Sequence, residues 1–202
     1  MEFQDVVRKR KMVRSFEDRP VPREMLDRML ANGHRAPSAG YSQGYSFIVF
    51  EGKDEVARFW DVADPERKGW KGWPDIWNAP LMLVPCSEKD VYLDRYSLPD
   101  KGWTDRSESH WPVPYWDIDT AMAAMNVLLT AVDLGLGALF FGIFRTKEFK
   151  AAFAIPDSVT PIGAIAIGWP KPTDRPSPSL KTVGRRAKEQ VVHWGRWGAR
   201  DR

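Results

Sequence analysis

An α/β or α+β sandwich in a single domain is what this sequence predicts, and three observations carry the prediction. Short apolar runs of strand character alternate with stretches of helical period along the 202 residues. That length suits one hydrophobic core. The composition, 43% hydrophobic and 28% charged, is that of a soluble globular chain and excludes a disordered tail or a fibre.

Taken in order, Val6, Val7 and Met12 among basic residues predict a short first helix, with Arg14 one turn beyond Arg10 on the same edge if the helix continues. Val21, Pro22, Arg23 and Glu24 open a second helix, the proline standing where a missing N–H costs nothing, and Leu26, Met29 and Leu30 form its buried stripe. Ser46–Glu51 and Leu81–Val84 read as strands short enough to be fully buried, linked by a helix from about Lys53 to Val62. From Ser87 to Trp116 the chain is polar and rich in Pro, Trp and Tyr, with neither a 2- nor a 3.6-residue period, which predicts an irregular excursion acting as a lid or a partner-wrapping loop. Seven of the ten tryptophans fall between Trp60 and Trp116, where they either line a pocket for a planar ligand or simply pack an irregular segment.

The clearest helix follows. Ile118, Ala121, Met122, Met125, Leu128, Leu129 and Val132 recur at helical spacing, Asp117 is placed to cap the first turn, and Asp119 suits its positive end. Ala123, Ala124 and Val127 add apolar surface on other faces, so burial nearly all round is expected, as in a helix shared with a second subunit. Gly135 ends it. Leu136–Phe144 reads as a strand, Thr146–Phe153 as a short helix, and Ile162–Ile167 as a strand stopped by Gly168, Trp169 and Pro170. A proline-rich linker then leads to an edge strand or arm at Gln190–Trp194.

The single Cys86 excludes a disulfide framework within one chain, and a reducing, cytoplasmic setting is expected. Neither a membrane-spanning run nor a signal-peptide pattern is read, so no membrane partner is expected. The formal charge of +3 is the difference between 30 basic and 27 acidic residues that interleave, which argues against a nucleic-acid-binding face. Gly135, Leu136, Gly137 and Gly142 follow a helix and precede a strand, the reverse of a dinucleotide-binding turn. Three scattered histidines give no metal-ligand spacing, and Ser38 and Ser42 lack the setting of a nucleophile elbow. Asp117 and Asp119 read as helix caps and are assigned no chemistry.

Two stretches remain. On composition alone Arg8, Lys9, Arg10 and Lys11 read as a solvated helix face; Arg14 beyond them and a second basic pair, Arg185 and Arg186, favour a ligand site, and guanidinium groups suit a phosphate. Ala36–Gln43 is a tight polar turn able to face a flat polar ligand. Together they predict a site for a phosphate-bearing cofactor.

These stretches carry a family resemblance. Arg10, Lys11, Met12, Val13, Arg14, Ser15, Phe16 resembles the N-terminal pattern Arg, Arg, Ser, Ile, Arg, any residue, Phe of the flavin-dependent nitroreductases. Ala36, Pro37, Ser38 and then Tyr41, Ser42, Gln43, Gly44, Tyr45 is similar to that family's second signature, with Tyr41 in place of Asn and Gly44, Tyr45 in place of Pro, Trp. Leu134–Gly137 through Phe141, Gly142, and the closing Val191–Trp194, are similar to two more. The resemblance implies an α+β three-layer sandwich with a central mixed sheet flanked by helices, assembled as a homodimer with two FMN sites at the subunit interface. It places Arg10, Lys11, Met12 and Arg14, with Arg185 or Arg186, about the FMN phosphate and pyrimidine edge. Pro37, Ser38, Ala39 and Gly40 would lie along the ring system, Gln43 near the ribityl chain, and Phe141 and Gly142 near the flavin N5. The implied activity is hydride transfer from NADPH or NADH to a planar aromatic acceptor, a nitroaromatic or a quinone, by a ping-pong cycle. Dehalogenation and flavin destruction are further reactions of the same fold, and a non-enzymatic module binding an acidic or nucleic-acid partner is the alternative class.

Overall fold

The computed structural model describes residues 1–200. Five strands, β1 (Tyr45–Glu51), β2 (Leu81–Glu88), β3 (Gly137–Phe141), β4 (Val159–Pro161) and β5 (Ala164–Gly168), form one sheet in the order β1-β2-β5-β3, with β4 also on β2. All ladders between these strands are antiparallel, and the mixed character expected of the sheet is confined to an isolated parallel bridge from Met12 to Ala138. β5 and β4 share β2 as neighbour because the chain breaks register at Gly163. There φ is +154°, and an added Cβ would lie 2.7 Å from the Phe140 ring and 2.8 Å from the Phe141 carbonyl, so only glycine fits.

Side-chain alternation on the sheet divides the core in two. Met82, Val84, Cys86 and Ala166 face a cluster containing Phe16, Phe50, Phe59, Trp60 and Phe149, beneath α3 (Gly52–Ala63) and α6 (Thr146–Ala152). Leu81, Leu83, Ile165 and Ile167 face Leu26, Met29, Val127 and Leu128, from α2 (Arg23–Gly33) and α5 (Tyr115–Asp133). The result is the three-layer α+β sandwich; each large side chain fully buried in it contributes about 1.5–3 kcal/mol. β2, at the centre, is buried from Leu81 to Ser87. β1 is not: only Tyr45 and Phe50 are buried, because this strand is the sheet edge.

The helices differ from expectation in three places, each for a local reason. α1 (Phe3–Lys9) stops at Arg10, so Arg14 is not on its edge; the chain turns extended to pair Met12 with Ala138. A helix, α4 (Lys89–Ser97), lies inside the Trp-rich excursion, and only Tyr92 and Leu93 of it are buried, too few to show a period. α5 begins at Tyr115, which makes Asp117 a first-turn residue whose carboxylate accepts from Ser87 Oγ at 2.6 Å. At its other end Gly135 (φ +79°) donates to Val132 O and Leu136 donates to Ala131 O, a Schellman stop. α2 and α5 are tied by Asn32 Nδ2 donating to Thr130 Oγ1 at 2.9 Å and Asn126 Nδ2 donating to Asn32 O at 3.1 Å.

The expected all-round burial of α5 is not met within one chain. Ile118, Met122 and Met125 are exposed along one stripe of the helix. Beyond β5 a short helix α7 (Ser179–Thr182) and a single helical turn at Lys188–Gln190 interrupt an arm in which Val191 and Trp194 are exposed and no strand forms. No helix among the described residues is long and apolar enough to cross a membrane.

Candidate functional site

The extended segment after α1 is fixed from both sides. Val13 N–H donates to Ala138 O at 3.0 Å, and across the chain Glu17 N–H donates to Trp169 O and Lys171 N–H to Ser15 O, each at 2.9 Å. Between these contacts sits the side chain of Asp174, only 2% exposed. Its carboxylate accepts the backbone N–H of Arg14 at 2.9 Å and of Ser15 at 3.2 Å, and pairs with Lys11 Nζ at 3.0 Å. Arg14 Nη1 donates to Met12 O at 3.0 Å while its guanidinium lies 5.2 Å from the Trp73 ring centroid. Trp73 Nε1 in turn donates to Arg175 O at 3.2 Å. A cleft of about 420 Å³ opens here between Ser15, Gly72, Pro74, Asp75, Thr173 and Arg175. The Arg10 guanidinium forms no hydrogen bond or ion pair among the described residues, which leaves its fixed charge available to an anion.

The turn at Pro37–Gln43 is held in a conformation few sequences adopt. Gly40, Tyr41 and Gln43 all have φ between +56° and +61°, and two of these are not glycine, a cost that surrounding contacts must offset. Ser38 Oγ accepts from Gln43 N–H at 2.9 Å, and Ser42 Oγ donates to Ala39 O at 2.6 Å. Arg95 Nε donates to Gly40 O at 2.8 Å from α4. Asp119, 1% exposed on α5, accepts both the Ala39 N–H and the Tyr92 hydroxyl at 2.8 Å. Burial, and then Asp119, raise the Tyr92 phenol well above its ordinary value, so it stays a donor. The Tyr41 ring stands out of the turn, 77% exposed.

At the end of β3, Phe141 stacks on Trp60 with ring centroids 5.4 Å apart and planes 9° from parallel, and Trp70 meets Phe141 edge-on at 5.4 Å. These rings and Gly142 wall a cavity of about 610 Å³, with Asp64, Lys68, Phe144 and Arg145 also lining it. At Gly142 an added Cβ would meet nothing closer than the Phe144 ring at 3.7 Å, so the backbone borders open space. The volume lies in the range of small-molecule and cofactor sites.

Within one chain the sequence-predicted residues fall into separate places. Arg10–Arg14 run beside β3, whose far end carries Phe141 and Gly142, whereas Pro37–Gln43 leads into β1 at the opposite edge of the sheet. Arg185 and Arg186 lie exposed in the C-terminal arm. Arg186 Nη2 donates to the nearby Gln190 carbonyl, and no hydrogen bond or ion pair among the described residues joins either arginine to Arg10–Arg14. The cations that do adjoin that segment are Lys171 and Arg175, which sequence reading passed over as part of a linker. Asp119 and Asp174 were also missed as organisers: one reads as a helix cap, the other as a linker acid, and nothing local marks either.

The nitroreductase family model matches residues 7–169. An NADPH-dependent oxidoreductase of Staphylococcus epidermidis is 24% identical over 180 residues, covering 86% of this chain and 67% of that protein. Among solved structures, a nitroreductase family protein of Clostridium difficile 630 superposes with a TM-score of 0.73 at 24% identity, covering 97% of this chain and 99% of the other. An FMN-dependent nitroreductase of Clostridium difficile R20291 does so with a TM-score of 0.66 at 22% identity, covering 95% and 98%. The motifs at Arg10–Phe16 and Ala36–Gln43 lie within the matched span, the sandwich is the shared fold, and the chain is thereby an oxidoreductase that belongs to the nitroreductase family.

Proposed function

We propose that this oxidoreductase is FMN-dependent, takes a hydride from NADPH or NADH, and passes the electrons to a planar aromatic acceptor, a nitroaromatic or a quinone, by a ping-pong cycle in one shared cavity. The observation that carries the reading is the cavity of about 610 Å³ in which the Phe141–Gly142 backbone and the rings of Trp60, Trp70 and Phe141 meet. Aromatic walls receive flat rings by stacking and edge contacts, and they keep water from the reacting face.

The donor set suits FMN. Arg10 is a half-buried cation with no hydrogen-bond or ionic partner among the described residues, and Lys11 and Arg14 stand beside it; they would hold the phosphate. Pro37, Ser38, Ala39 and Gly40 would border the ring system, Gln43 the ribityl chain, and the backbone at Phe141 and Gly142 the flavin N5. When bound, FMN supplies the hydride chemistry itself. The chain's residues bind, orient and exclude water; none of them stands as a clear proton donor.

The separation of Arg10–Arg14 from Pro37–Gln43 across the sheet, with the exposed apolar stripe Ile118, Met122, Met125 on α5, supports a homodimer in which each site draws on both copies. A small-molecule enzyme of the cytoplasm, with no nucleic-acid partner, is the setting proposed. Purified protein carrying a flavin absorbance that bleaches anaerobically with NADPH or NADH and returns on addition of a quinone supports the proposal. Protein that gains no flavin on incubation with FMN refutes it.

A further inference from the structure

We infer that Asp119 is a positioning residue for the flavin-facing turn, fixing Ala39 through its carboxylate and setting the electrostatic environment of the ring. The inference rests on the functional reading above and goes beyond it.

Three contacts reach this turn from outside it, and a fourth braces the first of them. Asp119 Oδ2 accepts the Ala39 N–H at 2.8 Å, drawing that amide towards α5. The same oxygen accepts the Tyr92 hydroxyl at 2.8 Å, and Tyr92 is fully buried. One turn further along α4, Arg95 Nε holds Gly40 O at 2.8 Å. Tyr96 packs so closely that a Cβ on Gly40 would fall 2.6 Å from its ring. The Trp-rich excursion thus acts through α4 as a clamp behind the turn: Tyr96 is packed by Trp103 and Trp111, with ring centroids 4.7 and 4.4 Å away.

The charge is the less ordinary part. Among the described residues Asp119 has only an amide and a phenol as partners, with no lysine or arginine bridged to it. A buried carboxylate without a countercharge is felt strongly by its neighbours in a medium of low dielectric. Lying one peptide from the residues assigned to the ring, it opposes the added negative charge of the reduced flavin. Asp119 therefore lowers the reduction potential of the bound cofactor, while its hydrogen bonds hold the turn in its left-handed conformation.

The test compares wild type, Asp119→Asn and Tyr92→Phe by thermal unfolding, FMN titration and the midpoint potential of the bound flavin against reference dyes. Asp119→Asn is expected to bind FMN about tenfold more weakly and to raise the midpoint by about 30 mV, equivalent to a tenfold change in preference for the reduced form of a two-electron couple. Tyr92→Phe keeps the ring and the charge, so it is expected to weaken binding about threefold with the potential unchanged. A folded Asp119→Asn with wild-type affinity and potential overturns the inference while leaving FMN dependence standing. If Asp119→Asn does not fold, Tyr92→Phe decides, and wild-type affinity in that variant overturns the clamp. Wild-type protein that holds no FMN removes the functional reading, and this inference with it.

Discussion

Arg10 and Lys11 are adjacent cations that the structure places in different circumstances, and their alanine variants should differ accordingly. Lys11 is 61% exposed and already paired with buried Asp174 at 3.0 Å, so a phosphate competes for it with an internal anion. Arg10 is half-buried with no ionic or hydrogen-bond partner among the described residues, and its charge is uncompensated until a ligand arrives. A hydrogen bond to a charged group contributes about 1.5–3 kcal/mol, and 1.4 kcal/mol is tenfold in affinity, so Arg10→Ala is expected to weaken FMN binding by about 10- to 150-fold. Lys11→Ala, relinquishing an exposed and solvent-screened cation, is expected to cost less than about tenfold. Titration by quenching of flavin fluorescence at low and moderate salt, with a thermal melt of each apoprotein, separates the two. Arg10→Ala binding FMN within twofold of wild type, or Lys11→Ala costing more than Arg10→Ala, refutes the reasoning.

Three further outcomes are expected. At Gly44 an added Cβ would lie 2.5 Å from the Tyr92 ring and 2.8 Å from the Glu88 carbonyl, so Gly44→Ala should destabilise the fold by about 1–3 kcal/mol, read as a lower Tm. Burial, and secondarily Glu88, push the Cys86 thiol up to about 12. Its contribution to stability is therefore complete below the unfolded thiol's pKa and is lost as pH rises from there towards 12. Native protein should resist iodoacetamide at pH 8, and denaturation curves at pH 8 and 10.5 should show wild type losing more stability than Cys86→Ala. Replacing Met122 and Met125 together by Glu should convert a dimer to monomers in sedimentation velocity and lower flavin content; an unchanged dimer would show that this stripe is not the interface.

Much of the architecture was legible because it is written in local periods. The apolar recurrence along α5 and its glycine stop, the buried run of β2, the start of α2 and the span of α3 follow from spacing alone. What escaped depends on partners distant in sequence. Ser46–Glu51 reads as a buried strand, but which strand forms a sheet edge is a property of topology. α4 buries only Tyr92 and Leu93 and has no stripe to read. At the site, Arg10, Lys11, Arg14 and the Pro37–Gln43 turn stood out by composition. Asp119 and Asp174, which hold those two segments, are ordinary acids until the fold brings Ala39, Arg14 and Ser15 to them. Asp117, expected to cap α5, instead receives Ser87 because the helix starts two residues earlier.

The reach of Asp174 also bears on how the molecule is made. The family match ends at residue 169, yet the amides of Arg14 and Ser15 and the ammonium of Lys11 close on a carboxylate five residues later. During synthesis these contacts cannot form until residue 174 has left the ribosome. The leading segment is accordingly closed only once residue 174 is in place, and a chain cut after Trp169 would retain all five strands while that segment lost its anchor.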